Sequence, residues 1–309
     1  MHQVIVSPQH KKYVAVRPGS RGGMQLPREK YVEVRETVSA GSPLPAWFID
    51  ATKKVWGLRL DSGSASNTVL VRPETALNYS RATWEINKGC NFACDMCVVW
   101  QRPFAGLPMG EKIRLLEMVR DTGVLWFQFT GGEPTIDPDF IESYRTAYDM
   151  GMMVEVLTNG SRLDHGPTLE TLTDLPPHKV TVSLYGASAE TFEALTRTRG
   201  AYRRVLRGLR AATAAGLPLE LSLIVTEHNA HEVDSMRALA DSLTSRTRYS
   251  PICLRLTTVT EAHSTSRQPS TSTGKRCSAD VPPDTASTTW TRSAAQLCAR
   301  SDARTPSIS

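Results

Sequence analysis

The sequence predicts an α/β fold, because segments with the spacing of strands and of helices alternate through the middle of the chain. Five strand–helix units follow one another between residues 81 and 250, and a sixth strand is predicted near Tyr249–Leu256. Repeated βα units imply a parallel sheet with right-handed crossovers. Five or six units suit a partial barrel or a doubly wound sheet, and the repeat alone does not choose between them.

The first unit begins with a short strand, Trp84–Asn87, which ends just before a cysteine-rich loop. Its helix is predicted from Ile113, Leu116 and Val119, which step by three and so share one face. The second strand is predicted at Leu125–Phe129, where a nearly continuous apolar run is typical of a sheet buried on both faces.

The second helix has a predicted start, an inner face and an end. Asp137-Pro138 supplies a capping side chain followed by a proline in the first turn. Gly151 is expected to end the helix. Its inner stripe consists of Phe140, Tyr144 and Ala147.

The same pattern continues through three further units. Gly216 and Pro218 close the fourth helix, and Asn229 is a predicted cap of the fifth. Strands are predicted at Met153–Leu157, Val180–Leu184 and Leu219–Val225. Helices are predicted from three apolar stripes, which are Leu169, Leu172 and Leu175; Val205, Leu209 and Ala212; and Val233, Met236, Ala240 and Leu243.

Residues 1–80 predict a small α+β module. Two short strands, Tyr13–Val16 and Tyr31–Arg35, are expected to be joined through a glycine-rich turn. Pro45 is expected to open a helix that carries Phe48, Ala51 and Val55. Two interpretations are open: a small α+β module with a role of its own, or an N-terminal segment that only covers the predicted β/α domain of residues 81–256.

Residues 257–309 are expected to form a disordered tail. Ser and Thr make up 21 of these 53 residues, and only four are Leu, Ile, Val or Phe, so that little apolar area offsets the entropy of ordering. Cys253, Cys277 and Cys298 form no compact motif, which favours incidental thiols over an auxiliary cluster. The abrupt change after about Tyr249 also fits a truncated or frame-shifted end.

Charge and composition exclude several classes of protein. The chain has 309 residues and a net charge of +5, but residues 1–80 alone carry +5 and residues 81–256 carry −2. A nucleic-acid-binding body is therefore not indicated. No run of 18 apolar residues predicts a membrane span, and the first 30 residues lack the pattern of a signal peptide. Six cysteines in so long a chain suit a reduced, cytoplasmic setting better than a disulfide framework.

Three of the cysteines form a motif. Cys90, Cys94 and Cys97 have the spacing C-x3-C-x2-C, and three thiolates on one loop can hold three irons of a cubane cluster. A fourth iron would then stay open to a reactant. A closed zinc site is disfavoured, because no further Cys or His follows before His165.

Polar turns follow the next strands. Thr130-Gly131-Gly132-Glu133-Pro134 ends the second strand, where two glycines leave main-chain groups open to a ligand. The third strand ends in Thr158-Asn159-Gly160 and the fourth in Ser183-Leu184-Tyr185-Gly186. Because the carboxyl ends of parallel strands build the active site of barrels, these turns are expected to be neighbours of the cysteine loop.

At this point the sequence resembles the radical S-adenosylmethionine (SAM) superfamily. The resemblance rests on C-x3-C-x2-C, on Gly-Gly-Glu-Pro after the second strand and on Thr-Asn-Gly after the third. Val182–Ala187 and the Ile-Val-Thr-x-x-Asn run within Leu221–Val233 are also similar to this superfamily. The resemblance covers about residues 81–250. Met96 stands where many members carry an aromatic residue, a change that an adaptable apolar side chain tolerates.

The resemblance implies a six-unit partial TIM barrel and two cofactors. A 4Fe-4S cluster would bind SAM at its open iron, and one electron would cleave SAM to methionine and a deoxyadenosyl radical that takes hydrogen from a substrate. The implied cluster ligands are Cys90, Cys94 and Cys97. The implied SAM-binding residues are Gly131, Gly132 and Glu133 at the methionine amino group, Pro134 shaping the turn, and Asn159 and Ser183 near the ribose or carboxylate.

Trp84–Cys97 and the Ser-Leu-Tyr-Gly segment look most like the peptide and protein maturases of this superfamily. Some members bind a precursor's leader by adding it as a strand to an N-terminal winged-helix-like module. Residues 1–80 have that size, and their positive charge suits an acidic leader. The implied partners are a precursor peptide or protein and an electron donor such as flavodoxin or ferredoxin, with no nucleic acid and no membrane.

Two alternatives remain open. A radical SAM enzyme could act on a small molecule, as in the first step of molybdenum-cofactor synthesis, but that family carries a second three-cysteine motif. A non-catalytic iron–sulfur or zinc scaffold is the other alternative, against which the intact Gly-Gly-Glu-Pro argues.

Overall fold

The structure is a computed structural model that describes residues 2–20, 22–60, 68–97, 106–243 and 247–251. The predicted disordered tail and Cys253, Cys277 and Cys298 lie outside the described residues. Within them, no helix has the length and apolar character needed to cross a membrane.

A mixed four-stranded sheet with two helices, formed by residues 4–20, 22–60 and 68–71, makes up the N-terminal module. The strand order is β3-β2-β1-β4, in which β1, β2 and β3 are antiparallel and β4 runs parallel to β1. Among the described strands, β3 and β4 are therefore the edges. The strands are β1 (Val4–Gln9), β2 (Lys12–Val16), β3 (Gly23–Leu26) and β4 (Val69–Val71), and the helices are α1 (Arg28–Ser39) and α2 (Ala46–Trp56).

One strand prediction in this module is wrong. Tyr31–Arg35 lies inside helix α1, where Tyr31 and Val34 share the buried face. Alternating valines imitate a strand, but the surrounding Glu, Lys and Arg residues favour a helix, and packing of that face against the sheet decides. The helix predicted from Pro45 is confirmed, since α2 begins at Ala46.

The rest of the described chain forms a six-stranded parallel sheet with helices between its strands, which confirms the predicted α/β fold. The spatial order is β10-β9-β8-β7-β6-β5. Each strand therefore lies beside the strand that precedes it in the sequence, always on the same side. A doubly wound sheet reverses its strand order, and this sheet does not. The strands are β5 (Arg81–Asn87), β6 (Trp126–Gly131), β7 (Met153–Thr158), β8 (Lys179–Leu184), β9 (Leu219–Val225) and β10 (Thr247–Pro251).

The helices cover one face of this sheet and form its apolar core. Phe140, Tyr144 and Ala147 are buried there, as the stripe pattern predicts. Strands β6 and β7 alternate instead of being apolar throughout, because Gln128 and Glu155 lie between their core-facing residues. The helices are α3 (Met109–Asp121), α4 (Phe140–Asp149), α5 (Gly166–Asp174), α6 (Ala189–Thr196), α7 (Ala201–Ala214) and α8 (Val233–Leu243).

The start of α4 differs from the prediction. Asp139, and not Asp137, precedes the first residue of the helix. Asp137 is buried and accepts a hydrogen bond from Lys112 Nζ at 2.5 Å, while its Oδ1 also accepts from the Asp139 N–H at 2.9 Å. A buried lysine needs a carboxylate partner, and that requirement takes Asp137 away from the helix start.

The N-terminal module packs on the amino ends of strands β6 and β7. Ile5 and Val16 of the module share an apolar cluster with Leu125 and Met153. Arg72 donates to the carbonyl oxygen of Val124 at 2.6 Å. The carboxyl ends of the strands therefore lie away from the module.

Candidate active site

The cysteine loop follows β5 at the carboxyl edge of the sheet and is fixed to the end of helix α6. Its Ala93 N–H donates to the carbonyl oxygen of Thr196 at 3.0 Å, and its Asp95 N–H donates to that of Leu195 at 3.1 Å. Phe92 is buried in the core of the sheet. These contacts hold the loop while its three thiols remain half-buried.

The three thiols of Cys90, Cys94 and Cys97 interact with one another electrostatically. Burial raises the pKa of Cys94 from 9.0 to about 12, and its neighbouring cysteines contribute further. Burial also raises the pKa of Cys90. A cation bound here would have to displace the protons, which couples metal binding to pH.

The donor set fits an iron–sulfur cluster. Three sulfur ligands within eight residues have the softness that such clusters require. In the part of the chain that the structure describes, no three His, Cys, Asp or Glu side chains are grouped as a site for a single metal ion. The cysteines remain the predicted cluster ligands.

The Gly131-Gly132 turn lies directly against the backbone that leads into Cys90. A Cβ atom on Gly131, which has φ +138°, would approach the Asn87 carbonyl oxygen to 2.3 Å. A Cβ atom on Gly132 would approach the Gly89 carbonyl oxygen to 2.1 Å. Only glycine therefore fits either position, and the cause is the close approach of the two chain segments.

Main-chain hydrogen bonds join the same two segments. The Gly132 N–H donates to the Asn87 carbonyl oxygen at 3.1 Å, and the Glu133 N–H donates to that of Gly89 at 2.9 Å. The Asn87 side-chain amide donates back to the Glu133 carbonyl oxygen at 3.2 Å. Pro134 is buried and begins a 3-10 helix, Pro134–Ile136. The position of the turn and the position of the cysteine loop are thus fixed together.

The Glu133 carboxylate is fully buried and tied to the end of β7. It accepts from Thr158 Oγ1 at 2.6 Å, from the Asn159 N–H at 2.6 Å and from the Thr135 N–H at 3.0 Å. Burial raises the pKa of Glu133, and the hydrogen bonds, which act to lower it, do not outweigh this effect. Since the side chain is occupied in this way, the predicted contact with a methionine amino group would have to come from the main chain of the turn.

Asn159 lies beside the cysteine loop, but its side chain is used by the protein. Its Nδ2 atom donates to Asn91 Oδ1 at 2.8 Å and to Cys90 Sγ at 3.7 Å. Its Oδ1 atom accepts from the Ser161 N–H at 2.9 Å. The structure therefore brings Asn159 to Cys90. Both polar atoms of its side chain already have partners within the protein, so that neither is free for the predicted contact with SAM.

Ser183 is half-buried on β8, paired in register with Ser222. It forms a hydrogen bond with Tyr185, whose pKa is raised by burial and, to a smaller degree, by Cys94. The interaction of Tyr185 extends to all three cysteines. Sequence reasoning assigned no role to Tyr185 or Asn91, although both stand within motifs that it singled out.

The face of the sheet opposite the helices is polar and charged. Glu155 is buried and accepts two hydrogen bonds from Arg81, at 2.6 and 3.0 Å. Burial opposes ionisation of Glu155, but the Arg81 hydrogen bonds and the charge of Lys179 outweigh it and lower its pKa. Gln128 and Thr181 lie on the same face. Arg81 begins β5 and Lys179 begins β8, so that this charged group lies toward the amino ends of the strands.

Known proteins are similar to this chain in sequence and in fold. A model of the radical SAM superfamily matches residues 84–240. The chain is 34% identical over 164 residues to a mycofactocin maturase MftC of Mycobacterium ulcerans, covering 52% of this chain and 43% of that protein. It is 30% identical over 163 residues to an AdoMet-dependent heme synthase of Methanosarcina barkeri, covering 52% of this chain and 46% of that protein.

A third relative is a PqqA peptide cyclase of Gluconobacter oxydans, 28% identical over 162 residues, covering 52% of this chain and 45% of that protein. These matches span less than half the length of the relatives. Streptococcus suis SuiB bound to its precursor peptide SuiA has a similar fold, with a TM-score of 0.54 and 13% identity over 80% of this chain and 61% of that one.

The superfamily model covers half of the chain, from the strand before the cysteine loop to helix α8. Both the three-cysteine loop and the glycine turn bonded to it fall within this match. This chain belongs to the radical SAM superfamily.

Proposed function

We propose that this chain is a cytoplasmic radical SAM enzyme that modifies a ribosomally made precursor peptide. The observation that carries the proposal is the bonding of the Gly131–Glu133 turn to the backbone entering Cys90. Cys90, Cys94 and Cys97 are the proposed ligands of a 4Fe-4S cluster. When bound, this cluster supplies the electron that cleaves SAM to methionine and a deoxyadenosyl radical.

The residues of the chain have separate tasks in this proposal. The main chain of Gly131 and Gly132 binds SAM beside the cluster, and Ser183 contributes from the next-but-one strand. Glu133 holds the ends of β6 and β7 together through Thr158 and the Asn159 main chain. The polar face of the sheet orients the substrate.

Several observations favour a peptide substrate. Two relatives are named as a maturase and as a peptide cyclase, and the structure of SuiB, similar in fold, contains a precursor peptide. The N-terminal module presents strand β3 (Gly23–Leu26) as a sheet edge. An extended leader can add to such an edge through main-chain hydrogen bonds. The net charge of +5 on residues 1–80 favours an acidic leader.

The activity is tested with the full chain reconstituted anaerobically with iron and sulfide. Dithionite and SAM should yield deoxyadenosine, measured by chromatography, and Cys94→Ser should abolish it. Cys253→Ser is the matched control, because Cys253 stands outside the motif, and it should retain the activity. A wild-type chain with a fully loaded cluster that forms no deoxyadenosine would contradict the proposal and favour a binding scaffold.

The substrate class is tested with peptides encoded by short reading frames next to the gene. A peptide deuterated throughout should transfer deuterium to deoxyadenosine and lose mass in the same reaction. The heme synthase relative makes a small molecule the second candidate. Deuterium transfer from a porphyrin precursor and not from any peptide would decide for that candidate.

Leader binding is tested at the β3 edge by proline substitution. Neighbouring residues of a strand direct their N–H groups to opposite sides. Of the two variants Met24→Pro and Gln25→Pro, one therefore removes an N–H group that faces outward and leaves the hydrogen bonds to β2 intact. That variant should keep its Tm and bind the peptide about tenfold more weakly. Deletion of the module is a poorer test, since it would uncover Leu125 and Met153.

A further inference from the structure

An arginine-rich segment adjoins the cysteine loop. Six arginines and no acidic residue occur between Arg197 and Arg210. Five of them are exposed, and Arg204 is half-buried. We call this group the arginine patch; its members are Arg197, Arg199, Arg203, Arg204, Arg207 and Arg210.

Helix α7 carries four of the six patch arginines on the outer layer of the molecule, and Arg197 and Arg199 precede it. Val205, Leu209 and Ala212 bury the inner face of this helix against the sheet. Arg203, which is exposed, lies on the other side. The patch therefore lies on the solvent side of the helix layer, away from the polar face of the sheet proposed to contact substrate.

Direct contacts connect the patch to the cysteine loop. Arg197 forms an ion pair with Asp95, which stands between the second and third cysteines. The Arg204 guanidinium lies over the ring of Phe92, 5.7 Å from its centre. Phe92 stands between the first and second cysteines in the sequence. The loop also hydrogen-bonds the end of α6, which is followed directly by Arg197, so that the patch adjoins the segment that carries the thiols.

Helix α7 also meets the turn after β7. A Cβ atom on Gly208 would come within 2.0 Å of the Gly160 carbonyl oxygen, so that the helix and the turn are in van der Waals contact. This turn carries Asn159, whose amide donates to Cys90. The patch is thus held rigidly relative to the first cysteine.

Most of the positive charge of the patch is not neutralised. Arg197 pairs with Asp95, and Arg207 pairs with Asp164 at 3.1 Å. The other four arginines have no carboxylate partner among the residues that the structure describes. In residues 81–256, whose net charge is −2, this local excess is unusual. A concentrated positive field attracts an acidic partner and speeds its association.

The chemistry of the patch disfavours nucleic acid. Single-stranded nucleic acid stacks its bases on exposed aromatic rings. The aromatic residue between these arginines is Tyr202, which is half-buried and donates its hydroxyl hydrogen to the Ala187 carbonyl oxygen. Arginines without a stacking platform, beside a proposed redox centre, suit a folded acidic protein.

We propose that the arginine patch is the docking surface for an acidic one-electron carrier protein of the flavodoxin or ferredoxin class. This inference rests on the proposed function, because the electron is needed there. The carrier gives up one electron and is oxidised, and the cluster held by the three cysteines accepts it. No covalent bond in the protein forms or breaks.

The test compares two charge-reversed variants of the full-length chain. Arg203→Glu with Arg210→Glu alters exposed patch residues that have no carboxylate partner among those described. The matched control is Arg114→Glu with Arg145→Glu, which makes the same charge change at exposed sites on α3 and α4. Binding of an oxidised flavodoxin and of an oxidised two-iron ferredoxin is measured by calorimetry at two salt concentrations.

The patch variant should bind its carrier about tenfold more weakly than the control, with a shallower salt dependence. The carrier that binds the wild-type chain shows whether the electron comes from a flavin or from an iron–sulfur protein. Deoxyadenosine formation driven by the reduced carrier should fall with binding, while the dithionite-driven rate stays at the wild-type value.

Equal carrier binding by the patch and control variants would overturn the docking surface. A patch variant that loses a precursor peptide and keeps the carrier would also overturn it and assign the patch to the substrate. Failure of dithionite to drive SAM cleavage in loaded wild type is a separate outcome. It would overturn the proposed function, while the binding comparison would still decide the docking surface.

Discussion

The side-chain amide of Asn159 donates a hydrogen bond to the sulfur of Cys90 at 3.7 Å. These residues are 69 positions apart, and one follows β7 while the other follows β5. The same amide group donates to Asn91, which in turn donates to Ser161 Oγ at 2.8 Å. The first cysteine is therefore oriented by a network from a different strand end.

Asn159→Ala should make the bound cluster harder to reduce. N–H···S hydrogen bonds stabilise the more negative, reduced state, so that removing one shifts the midpoint potential to more negative values. At a fixed poise the ratio of reduced to oxidised cluster should fall about two- to tenfold. A redox titration followed by electron paramagnetic resonance, without SAM, measures this shift. Ser161→Ala, which removes a partner of Asn91 only, should shift it less, and equal potentials in all three proteins would refute the role of Asn159.

Gly132→Ala should disrupt the site. The added methyl group would lie 2.1 Å from the Gly89 carbonyl oxygen, so that the turn and the cysteine loop must separate. We expect a loss of about 2–4 kcal/mol in the free energy of unfolding and a lower iron content after reconstitution. Denaturant unfolding and iron analysis measure the two effects. The control is Gly110→Ala in helix α3, where nothing lies within 4 Å and stability should rise by up to about 1 kcal/mol.

Glu155→Gln should flatten the acid limb of the stability profile. The pKa of Glu155 is lower in the folded protein than its ordinary value of 4.5, so that the ionised form stabilises the fold. That stability is present above about pH 4.5 and is lost as the pH falls through the folded-state pKa. Urea unfolding between pH 3 and 7 measures the slope. The exposed Glu117→Gln should leave the slope unchanged, and a wild-type slope in Glu155→Gln would exclude this role for the Arg81 pair.

Cys94 in the cluster-free protein should react slowly with iodoacetamide at pH 8. A pKa of about 12 instead of 9.0 lowers the thiolate fraction about a thousandfold, and greater nucleophilicity recovers part of this, leaving about a thirtyfold decrease. Peptide mass spectrometry at timed intervals measures the rate, and the urea-unfolded chain is the reference. Equal rates in folded and unfolded protein would show that burial does not protect this thiol.

Local patterns predicted most of the βα elements because each depends on residues close in sequence. Phe140, Tyr144 and Ala147 lie on a buried face simply because helical spacing aligns them. Tyr31 was misplaced in a strand because five residues of alternation cannot reveal the packing partner of a longer helix. Strand order, which distinguishes the partial barrel from a doubly wound sheet, depends on contacts that no local pattern contains.

The sequence predicts which residue types form the site and which strand ends carry them. It does not predict which residues these side chains contact. Gly131 and Gly132 were expected to open the main chain to a ligand, but their closest neighbours are Asn87 and Gly89. Glu133 was expected at SAM, yet its carboxylate finds Thr158 and the Asn159 main chain, 25 and 26 positions away. Such distant partners become visible only when the strands are assembled.

The N-terminal module covers the amino ends of β6 and β7, whereas the cysteines follow the carboxyl end of β5. Strand β6 has six residues, which at about 3.3 Å each separate the two ends by about 20 Å. Gly23, Met24 and Gln25 of the β3 edge line a cavity with Trp126 and Met153 at the module end. A peptide anchored on that edge must extend by at least about six residues to reach the cysteines. In the proposed complex, the length of the strands therefore sets the shortest spacing between the anchored segment and the modified residue.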